Sequence, residues 1–345
     1  MIGVGVLVVL CSSIVLCAVA RWYAVRAEVV DHPTVRSSHV QPTPRGGGIG
    51  FVVVYLLALL TLYSLDLLEL DLMVALVGAG TFVAAIGFAD DHRHVPARYR
   101  FLVHVLAAMW VIYWLGMPSA AAVFGSSGSW PMWLSAVLAV LYVLWIINFY
   151  NFMDGIDGIA SVEAVTVALG AALLAYLARP EDGLWIAPLF LAAAVGGFLF
   201  FNMPPASIFM GDVGSGFLGV SIAALAVDAV SRAPQVFWAW TILLGVFVVD
   251  ATVTLLRRIA RRQRVYDAHR THAYQHAALR FGHRAVTLAV ALMNVFWLLP
   301  TAWLVSSNRL PAGVGLLAAY VPLLLVAFYF RAGGEGETRT VPRRS

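Results

Sequence analysis

Long apolar stretches alternate with short polar connections along the whole chain. We count eleven such stretches, each of 16 to 21 residues, which is close to the length that an α-helix needs to cross a bilayer. The pattern therefore predicts an all-α, polytopic membrane protein with about eleven transmembrane helices. The predicted spans lie near residues 1–20, 47–65, 72–89, 101–117, 132–147, 159–178, 184–201, 214–230, 236–256, 285–305 and 310–330.

Composition agrees with this prediction. Of the 345 residues, 61% are hydrophobic and only 12% are charged, and the mean hydropathy is +0.87, values typical of a polytopic membrane protein. The polar connections are too short to build a soluble hydrophobic core. We therefore predict one membrane-embedded domain over residues 1–330 and a disordered, polar, cytoplasmic tail over residues 331–345.

The arginines predict the orientation. All 22 residues with a fixed positive charge are arginines, and nineteen lie in polar segments on one side of the predicted spans. Only Arg179, Arg232 and Arg309 lie on the other side. Because cytoplasmic loops carry the excess of positive residues, we expect the N-terminus outside and the C-terminus in the cytoplasm. A cleaved signal peptide is disfavoured for residues 1–20, since the arginines follow this segment instead of preceding it.

A dense polar cluster follows the apolar run 134–147. Two amides and two carboxylates recur there at every third residue: Asn148, Asn151, Asp154 and Asp157. This spacing keeps polar groups on neighbouring turns of one side of a helix, and Gly155 and Gly158 loosen the backbone where these groups must converge. Ionisable groups beside hydrocarbon are costly, so they indicate a functional site, with a capped helix terminus as the alternative.

Two further acidic motifs lie at predicted cytoplasmic ends of spans. Asp90 and Asp91 end the third span, where adjacent carboxylates suit a divalent metal or a general base. The alternative is an acidic cap paired with nearby arginines. Asp212 precedes the eighth span and can reach a metal, while Gly214 and Ser215 present N–H groups and a hydroxyl to phosphate. A plain N-cap would need no ligand.

Three more polar features lie near these motifs. Arg45 and the glycines 46–48 precede the second span and could contact an anion at a helix start, although ordinary loops have this composition too. Glu163 lies one turn inside the sixth span, and we expect it to face the same cavity as Asp157, where it could bind a sugar hydroxyl. Its alternative is a side chain reaching the interface. Asp250 is either a support for the cavity or a buried structural pair.

The last cytoplasmic connection carries a histidine cluster after a run of arginines. Its candidate ligands are His269, Arg270, His272 and His276. On a helix the three histidines would share one face, as metal ligands or as donors to phosphate and sugar. Zinc is the second choice, because no cysteine accompanies them and the surrounding arginines favour an anion.

Together these motifs resemble the polyprenyl-phosphate N-acetylhexosamine 1-phosphate transferases. The resemblance covers most of the chain and rests on four motifs in the family's order: Asp90-Asp91, the cluster from Asn148 to Gly158, Phe209-Met-Gly-Asp212-x-Gly-Ser215, and His269-x-x-His272-x-x-x-His276. It implies transfer of a sugar 1-phosphate from a UDP-sugar to undecaprenyl phosphate with release of UMP. It also implies a requirement for Mg²⁺, with Mn²⁺ as an alternative ion. A diphosphate and a phosphate must approach one another, so cations are needed on charge grounds too.

The resemblance assigns roles to individual residues. Asp212 corresponds to the metal-binding aspartate, and Asn151 is our choice for its second ligand. The acidic residues expected at the catalytic centre are Asp90, Asp91, Asp154 and Asp157. The first two form a pair that accepts a proton from the lipid phosphate or helps to hold the metal. The residues expected to bind substrates are Arg45, Asn148, Glu163, Gly214, Ser215, His269, Arg270, His272 and His276.

Details within the family favour enzymes that start O-antigen or other surface polysaccharides. The loop 269–276 reads His-Arg-Thr-His-Ala-Tyr-Gln-His, whereas the peptidoglycan branch, which transfers phospho-MurNAc-pentapeptide, carries consecutive histidines. The expected donors are UDP-GlcNAc or 6-deoxy relatives such as UDP-FucNAc and UDP-QuiNAc. Ser207 departs from the family, since relatives commonly have Lys or Arg there, and one phosphate contact is therefore in doubt.

We expect a bacterial inner-membrane enzyme with a cytoplasmic active site, embedded in the bilayer and without a nucleic-acid partner. A homodimer and a covalent aspartyl intermediate are left open. A transporter is the alternative of another class, because transporters also bury carboxylates among many spans. Their polar groups lie near the midplane, often in paired broken helices, whereas the motifs here gather at one membrane face and no internal repeat is present.

Overall fold

The chain is almost entirely helical in a computed structural model, which describes residues 1–31, 33, 41–117, 123, 131–233, 236–263 and 270–334. The first eight helices are α1 Ile2–Arg26, α2 Gly48–Ser64, α3 Leu70–His92, α4 Ala97–Leu115, α5 Met132–Met153, α6 Ile159–Ala178, α7 Ile186–Asn202 and α8 Gly211–Arg232. They are followed by α9 Val236–Leu243, α10 Gly245–Ala260, α11 Ala273–Phe281, α12 His283–Met293, α13 Leu299–Ser306 and α14 Ala312–Tyr329. A π-helical segment Asn294–Leu298 joins α12 to α13, and Pro180–Asp182 forms a short 3₁₀ turn.

The prediction of an all-α, multi-pass membrane protein is confirmed. Each of the eleven predicted stretches coincides with one helix or with two helices in succession. Within the described residues, seven helices are long and apolar enough to cross a membrane, and the bent pair α9 and α10 raises the number to eight. The helices α2 and α7 are apolar but shorter. The exact number of spans and the orientation therefore remain predictions.

Among the described residues, strand structure is limited to two paired strands of two residues each. Strands β1 Val30–Asp31 and β2 Thr43–Pro44 pair antiparallel, with Val30 opposite Pro44. The pairing continues toward α8, because the Phe209 N–H donates to the Pro44 carbonyl at 2.8 Å. This short ladder holds the chain before α2 against the chain before α8.

Helix α8 forms the centre of the bundle. Its apolar window is 94% buried, compared with 17% for the peripheral helix α1. Gly48 and Gly214 explain how closely α2 can approach it, since a Cβ at either position would contact the backbone of the other. Small residues allow such close packing between membrane helices, where the hydrophobic effect offers little driving force.

Two irregularities lie in the C-terminal third. The span formed by α9 and α10 bends by 72° at its break, and the π-helical segment interrupts the helix that begins at His283. The start of the predicted tail is packed: Ala332 is buried, and the Gly333 N–H donates to the Thr271 carbonyl at 2.6 Å. Residues 335–345 of that tail lie outside the described part of the chain.

Candidate active site

The predicted acidic motifs converge at one end of the bundle. Helices α3 and α5 end there, α8 begins there, and their termini surround a cavity of about 250 Å³. Six residues proposed from the sequence line it: Arg45, Asn151, Asp154, Asp157, Asp212 and Ser215. Residues that are far apart in the chain therefore form one polar cavity.

Asp212 lies between two arginines. Its Oδ1 is 2.8 Å from Arg45 Nη2, and its Oδ2 is 2.6 Å from Arg100 Nη1. Arg45 also pairs with Asp91, and Arg100 pairs with Asp90 at 2.7 Å. The two guanidinium groups thus bridge the acidic pair of α3 to the aspartate of α8. Charge-assisted contacts of this length orient the Asp212 carboxylate firmly.

The two carboxylates of the acidic pair do different things. Asp91 is fully buried and accepts backbone N–H groups of Asp212 at 2.9 Å and Val213 at 3.1 Å. These N–H groups belong to the first turn of α8 and lack acceptors within the helix. Asp90 instead accepts the Val95 N–H at 2.7 Å. Asp91 is therefore the cap of α8, and Asp90 is the member of the pair that is free of this task.

Asp154 and Asp157 follow the end of α5. Asp157 accepts the Ala206 N–H at 3.0 Å and lies 3.2 Å from His283 Nδ1. Burial raises the pKa of Asp154 to about 7, and the negative charge of Asp212 adds to this effect. A carboxyl group with such a pKa lies in an environment that would favour an added cation.

A second cavity, of about 340 Å³, adjoins the first. Asn151 and Asp212 line both cavities. The second one also contains Asn148, and its remaining lining is apolar apart from Arg98, Arg100 and His104. The Asn148 side chain donates to the Leu144 carbonyl at 2.7 Å, so the geometry shows a wall residue rather than a free donor. Asp212 thus faces two spaces of different polarity.

The oxygen ligands present fit a magnesium ion that substrate phosphates help to hold. One cavity is lined by Asp154, Asp212, Asn151 and Ser215. The Ser215 hydroxyl oxygen accepts a hydrogen bond from the Asn151 amide at 3.4 Å. Mg²⁺ prefers oxygen ligands and is commonly bound by one or two carboxylates and substrate phosphates. Within the described residues, no group of three or more Asp, Glu, His or Cys side chains could by itself hold a metal ion.

The prediction that Glu163 faces the cavity is wrong. Its side chain is completely buried, and its Oε2 accepts the Asn294 amide at 2.6 Å. Asn294 also donates to Thr166 on the same helix as Glu163. Glu163 lies on the side of α6 that packs against the π-helical segment, and a residue's helical turn alone does not determine which side it occupies. Glu163 therefore joins two spans instead of binding a sugar.

No described member of the predicted histidine cluster lines the polar cavity. His269 lies outside the described residues. His272 is buried and lies 3.2 Å from Asp250 Oδ1, and Arg270 and His276 are absent from the lining of the polar cavity. The nine-residue helix α11 begins after His272, so of these side chains only His276 lies within the helix. The prediction that His272 binds the donor is therefore corrected to a structural pairing.

Gly214 also differs from its predicted role. It faces Gly48 in the packing of α8 on α2 and does not line the polar cavity. In the first turn of α8, the Asp212 and Val213 N–H groups already donate to Asp91 and are therefore not available to a phosphate. Ser215, one residue later, does line the cavity.

Several cavity residues were missed in the sequence. Arg100, His283 and Gln275 bring polar side chains to the site. Asp31 and Phe209 also line the polar cavity. Arg100 was considered only as a positive loop residue and as one of the arginines that could pair with Asp90 and Asp91, and its pairing with Asp90 is present at 2.7 Å. His283 and Gln275 lie in the same loop region as the histidine cluster, but spacing alone does not show which members face inward.

Comparison with known proteins identifies the class. Residues 73–230 match the family model of glycosyl transferase family 4. A decaprenyl-phosphate N-acetylglucosaminephosphotransferase of Mycolicibacterium smegmatis is 31% identical over 301 residues, which cover 78% of this chain and 73% of that protein. The chain belongs to glycosyl transferase family 4, and it is a multi-pass membrane transferase of that family.

Two other relatives show how the similarity is distributed. A probable undecaprenyl-phosphate N-acetylglucosaminyl 1-phosphate transferase of Bacillus subtilis is 28% identical over 336 residues, covering 95% of this chain and 90% of that protein. A phospho-N-acetylmuramoyl-pentapeptide-transferase of Synechococcus elongatus is 39% identical over only 97 residues, covering 26% and 24% of the two chains. The similarity to N-acetylglucosamine 1-phosphate transferases therefore extends over far more of the chain.

Proposed function

We propose that this protein transfers N-acetylhexosamine 1-phosphate from a UDP-sugar to undecaprenyl phosphate and releases UMP. The single observation that carries the proposal is that Asp212 and Asn151 line both a polar cavity and a mostly apolar one. The polar cavity suits a nucleotide diphosphate-sugar. The apolar cavity, with Arg98 and Arg100 in its wall, suits a phosphate carried on a hydrocarbon chain.

This arrangement supports the following reaction. An oxygen of the lipid phosphate forms a bond to the sugar-proximal phosphorus of the UDP-sugar, and the bond from that phosphorus to the bridging oxygen of UMP breaks. UMP leaves with the electron pair. Phosphoryl transfer of this kind depends on alignment and charge stabilisation more than on covalent help from the protein. A lipid phosphate in the apolar cavity would approach the donor phosphorus from the side opposite to UMP, which is the geometry of in-line attack.

The site residues take separate roles in this proposal. Asp212 and Asn151 would hold Mg²⁺, and Arg45 and Arg100 keep the Asp212 carboxylate oriented. When bound, Mg²⁺ would neutralise charge on the donor diphosphate and the leaving group. Asp90 is proposed to accept a proton from the lipid phosphate, since Asp91 is committed to capping α8.

Asp154 and Asp157 are proposed to order the donor. His283, paired with Asp157, is added as a donor-binding residue in place of His272. Of the other donor ligands predicted in the last cytoplasmic connection, only His269 is retained in the proposal, because Arg270 and His276 do not line the polar cavity. The protein would lie in a bacterial inner membrane, with its active site facing the cytoplasm. UDP-sugars are made in the cytoplasm.

Within this reaction class we propose UDP-GlcNAc or a 6-deoxy relative as the donor, in initiation of an O-antigen-like surface polysaccharide. The loop sequence from His269 to His276 supports this branch, and the similarity over nearly the whole chain to a probable N-acetylglucosaminyl 1-phosphate transferase supports a small N-acetyl sugar. Transfer of phospho-MurNAc-pentapeptide is the second candidate, supported by a short segment of higher identity.

The test is UMP release by purified protein in detergent with undecaprenyl phosphate and Mg²⁺. The donors compared are UDP-GlcNAc, UDP-GalNAc, UDP-FucNAc, UDP-QuiNAc and UDP-MurNAc-pentapeptide. We expect lipid-dependent UMP release from one small N-acetyl sugar. Release from the pentapeptide donor alone would favour the second candidate, and no release from any donor by folded protein would contradict the proposed reaction and reopen the transporter alternative.

A matched pair of variants on α8 makes the test specific to the site. Asp212→Asn should reduce turnover by at least about 100-fold, since it removes a charge at the proposed metal. Asp228→Asn alters an aspartate at the other end of the same helix, where it pairs with Arg232 at 3.3 Å. Its turnover should stay close to that of the wild type. Equal effects of the two substitutions would remove Asp212 from the metal site.

A further inference from the structure

Asp250 makes an unusual set of contacts for a carboxylate inside an apolar helix. Its Oδ1 accepts the Ala273 N–H at 3.0 Å, and its Oδ2 accepts the Tyr274 N–H at 2.9 Å. The His272 ring lies 3.2 Å from Oδ1, and the Thr254 hydroxyl donates to it at 3.1 Å. Only 8% of the Asp250 side chain is exposed.

These contacts make Asp250 the N-terminal cap of α11. The Ala273 and Tyr274 N–H groups belong to the first turn of that helix and have no acceptor within it. A negative charge at this end of a helix is also favoured by the helix dipole. The residue just before a helix normally supplies the cap. Here His272 and Gln275 form a capping box, with the His272 N–H donating to the Gln275 side chain at 3.3 Å, and the acceptor for the Ala273 and Tyr274 N–H groups comes from α10, twenty-three residues before Ala273.

Helix α11 forms part of the wall of the polar cavity. Gln275 lines the cavity together with Asp154. One residue earlier, the Tyr274 hydroxyl donates to the Phe152 carbonyl at 3.0 Å, which ties α11 to the end of α5. Asp250 itself is not in the lining of this cavity. It can influence the site only through the placement of α11.

We propose that Asp250, with His272, is a positioning residue for the donor side of the active site. The carboxylate fixes the first turn of α11 against α10, and this places Gln275 and the Tyr274 contact beside Asp154. Loss of the carboxylate would free the first turn and weaken the donor wall. The kinetic part of this inference rests on the proposed function, whereas its structural part does not.

Kinetics separates positioning from direct chemistry. Asp250→Ala should raise the KM for the UDP-sugar about 10-fold, as loss of an orienting contact typically does, and leave the KM for the lipid phosphate within about threefold. The matched control is Thr254→Val, which removes one hydrogen bond to the same carboxylate but leaves α11 capped. Loss of kcat with both KM values unchanged would overturn the proposal.

A second-site variant tests the capping role. His272 has the extended backbone, φ −71° and ψ 149°, that an N-cap residue requires, and Asn is a strong N-cap. His272→Asn in the Asp250→Ala background should therefore restore a large part of the lost donor affinity. A donor KM that stays at the value of the single Asp250→Ala variant would contradict a capping role.

An activity-independent measurement tests the placement of α11 itself. A Gln275→Cys variant in a Cys11→Ser background reports the exposure of position 275 through its rate of maleimide labelling. Asp250→Ala should speed this labelling several-fold, whereas Thr254→Val should not. A Ser307→Cys variant, exposed in the turn after α13, serves as the reference and should label equally in all backgrounds.

The outcomes separate the two proposals. Equal labelling rates with and without Asp250 would overturn the positioning role whatever the enzyme does. If the wild type releases no lipid-dependent UMP, the proposed function fails, yet the labelling experiment still decides the placement of α11. If Asp250→Ala is not recovered folded, Asp250→Asn, which can accept only one of the two N–H groups, is used with the same expected directions.

Discussion

The Asp91 carboxylate accepts the backbone N–H of Asp212 at 2.9 Å across a sequence separation of 121 residues. This contact joins two acidic motifs that look equivalent in the sequence and gives them different tasks. The Asp91 side chain is buried, and its carboxylate oxygens are bound to backbone N–H groups of α8 and to Arg45. Asp212 is presented toward the cavities. The stability of the site and its chemistry therefore reside in different carboxylates.

Asp91→Ala should destabilise the protein more than Asp90→Ala does. The Asp91 substitution leaves two first-turn N–H groups of α8 without a buried acceptor and removes one of the two carboxylate partners of Arg45, a cost of about 3–5 kcal/mol. Asp90→Ala removes a carboxylate with 9% of its side chain exposed and should mainly reduce turnover. Thermal unfolding in detergent and UMP release, measured on both variants, check this division. Equal melting temperatures would contradict it.

Arg100→Ala should reduce turnover by about 10- to 100-fold, because this side chain orients Asp212 and Asp90 together. Arg93→Ala changes another arginine of the same connection, exposed and without a salt bridge among the described residues. The control should retain nearly full turnover. Similar losses in both variants would indicate a general effect of the loop charge, and the salt dependence of each would then be equal.

Gly211→Ala should impair folding and activity. Gly211 has φ +77°, and a Cβ there would collide with the Asp91 carboxylate. Gly183→Ala is the control, since Gly183 has φ +68° and its nearest neighbour leaves space for a Cβ. Both variants carry the cost of a left-handed alanine, about 1–2 kcal/mol. Gly211→Ala should lower the melting temperature and UMP release more than Gly183→Ala does, because it also displaces the Asp91 carboxylate. Equal losses in the two variants would contradict the contact between Gly211 and Asp91.

The Mg²⁺ requirement should depend on pH through Asp154. Burial raises the pKa of this carboxyl group to about 7, so below pH 7 it loses the negative charge that would attract Mg²⁺ to the cavity it shares with Asp212 and Asn151. The Mg²⁺ concentration for half-maximal UMP release should therefore be higher at pH 6 than at pH 8. Chelation should abolish release, and added Mg²⁺ should restore it. Asp154→Asn should remove the pH dependence of the Mg²⁺ requirement, and a dependence that persists would exclude Asp154.

Glu163→Ala should change stability without changing donor choice. The substitution leaves the buried Asn294 amide without its carboxyl acceptor, which costs about 1–3 kcal/mol for an unsatisfied buried donor. Glu163→Gln retains an acceptor and should melt closer to the wild type. The ranking of UDP-sugars should be the same in all three proteins. A changed ranking would restore the sugar-binding role predicted from the sequence.

Much of the fold follows from periodicity and length alone. Apolar stretches of bilayer length predict helices because only internally bonded backbone is stable in hydrocarbon, and all eleven stretches are helical. The break between α9 and α10 was not predicted. Leu244 and Gly245 lie in an uninterrupted apolar run, and nothing in composition marks where packing bends a helix.

The candidate site was predictable where residue type restricts the chemistry. Carboxylates and amides next to apolar spans are expensive to retain, so Asp154, Asp157, Asp212 and Asn151 were recognisable as one site. Glu163 and His272 carry the same signal, yet both are used inside the protein. Sequence spacing shows on which turn of a helix a residue lies. It does not show which other helix packs against that turn.

The sequence by itself determined that this chain is a helical membrane protein whose polar groups gather at the ends of its spans, because hydrophobicity and length are local properties. Only the tertiary structure decided which carboxylate caps a helix and which faces a cavity. Asp91, Asp212 and Asp250 are equally acidic in the sequence. Their roles depend on contacts with backbone and arginines distant in the chain, and those contacts exist only after the helices have packed.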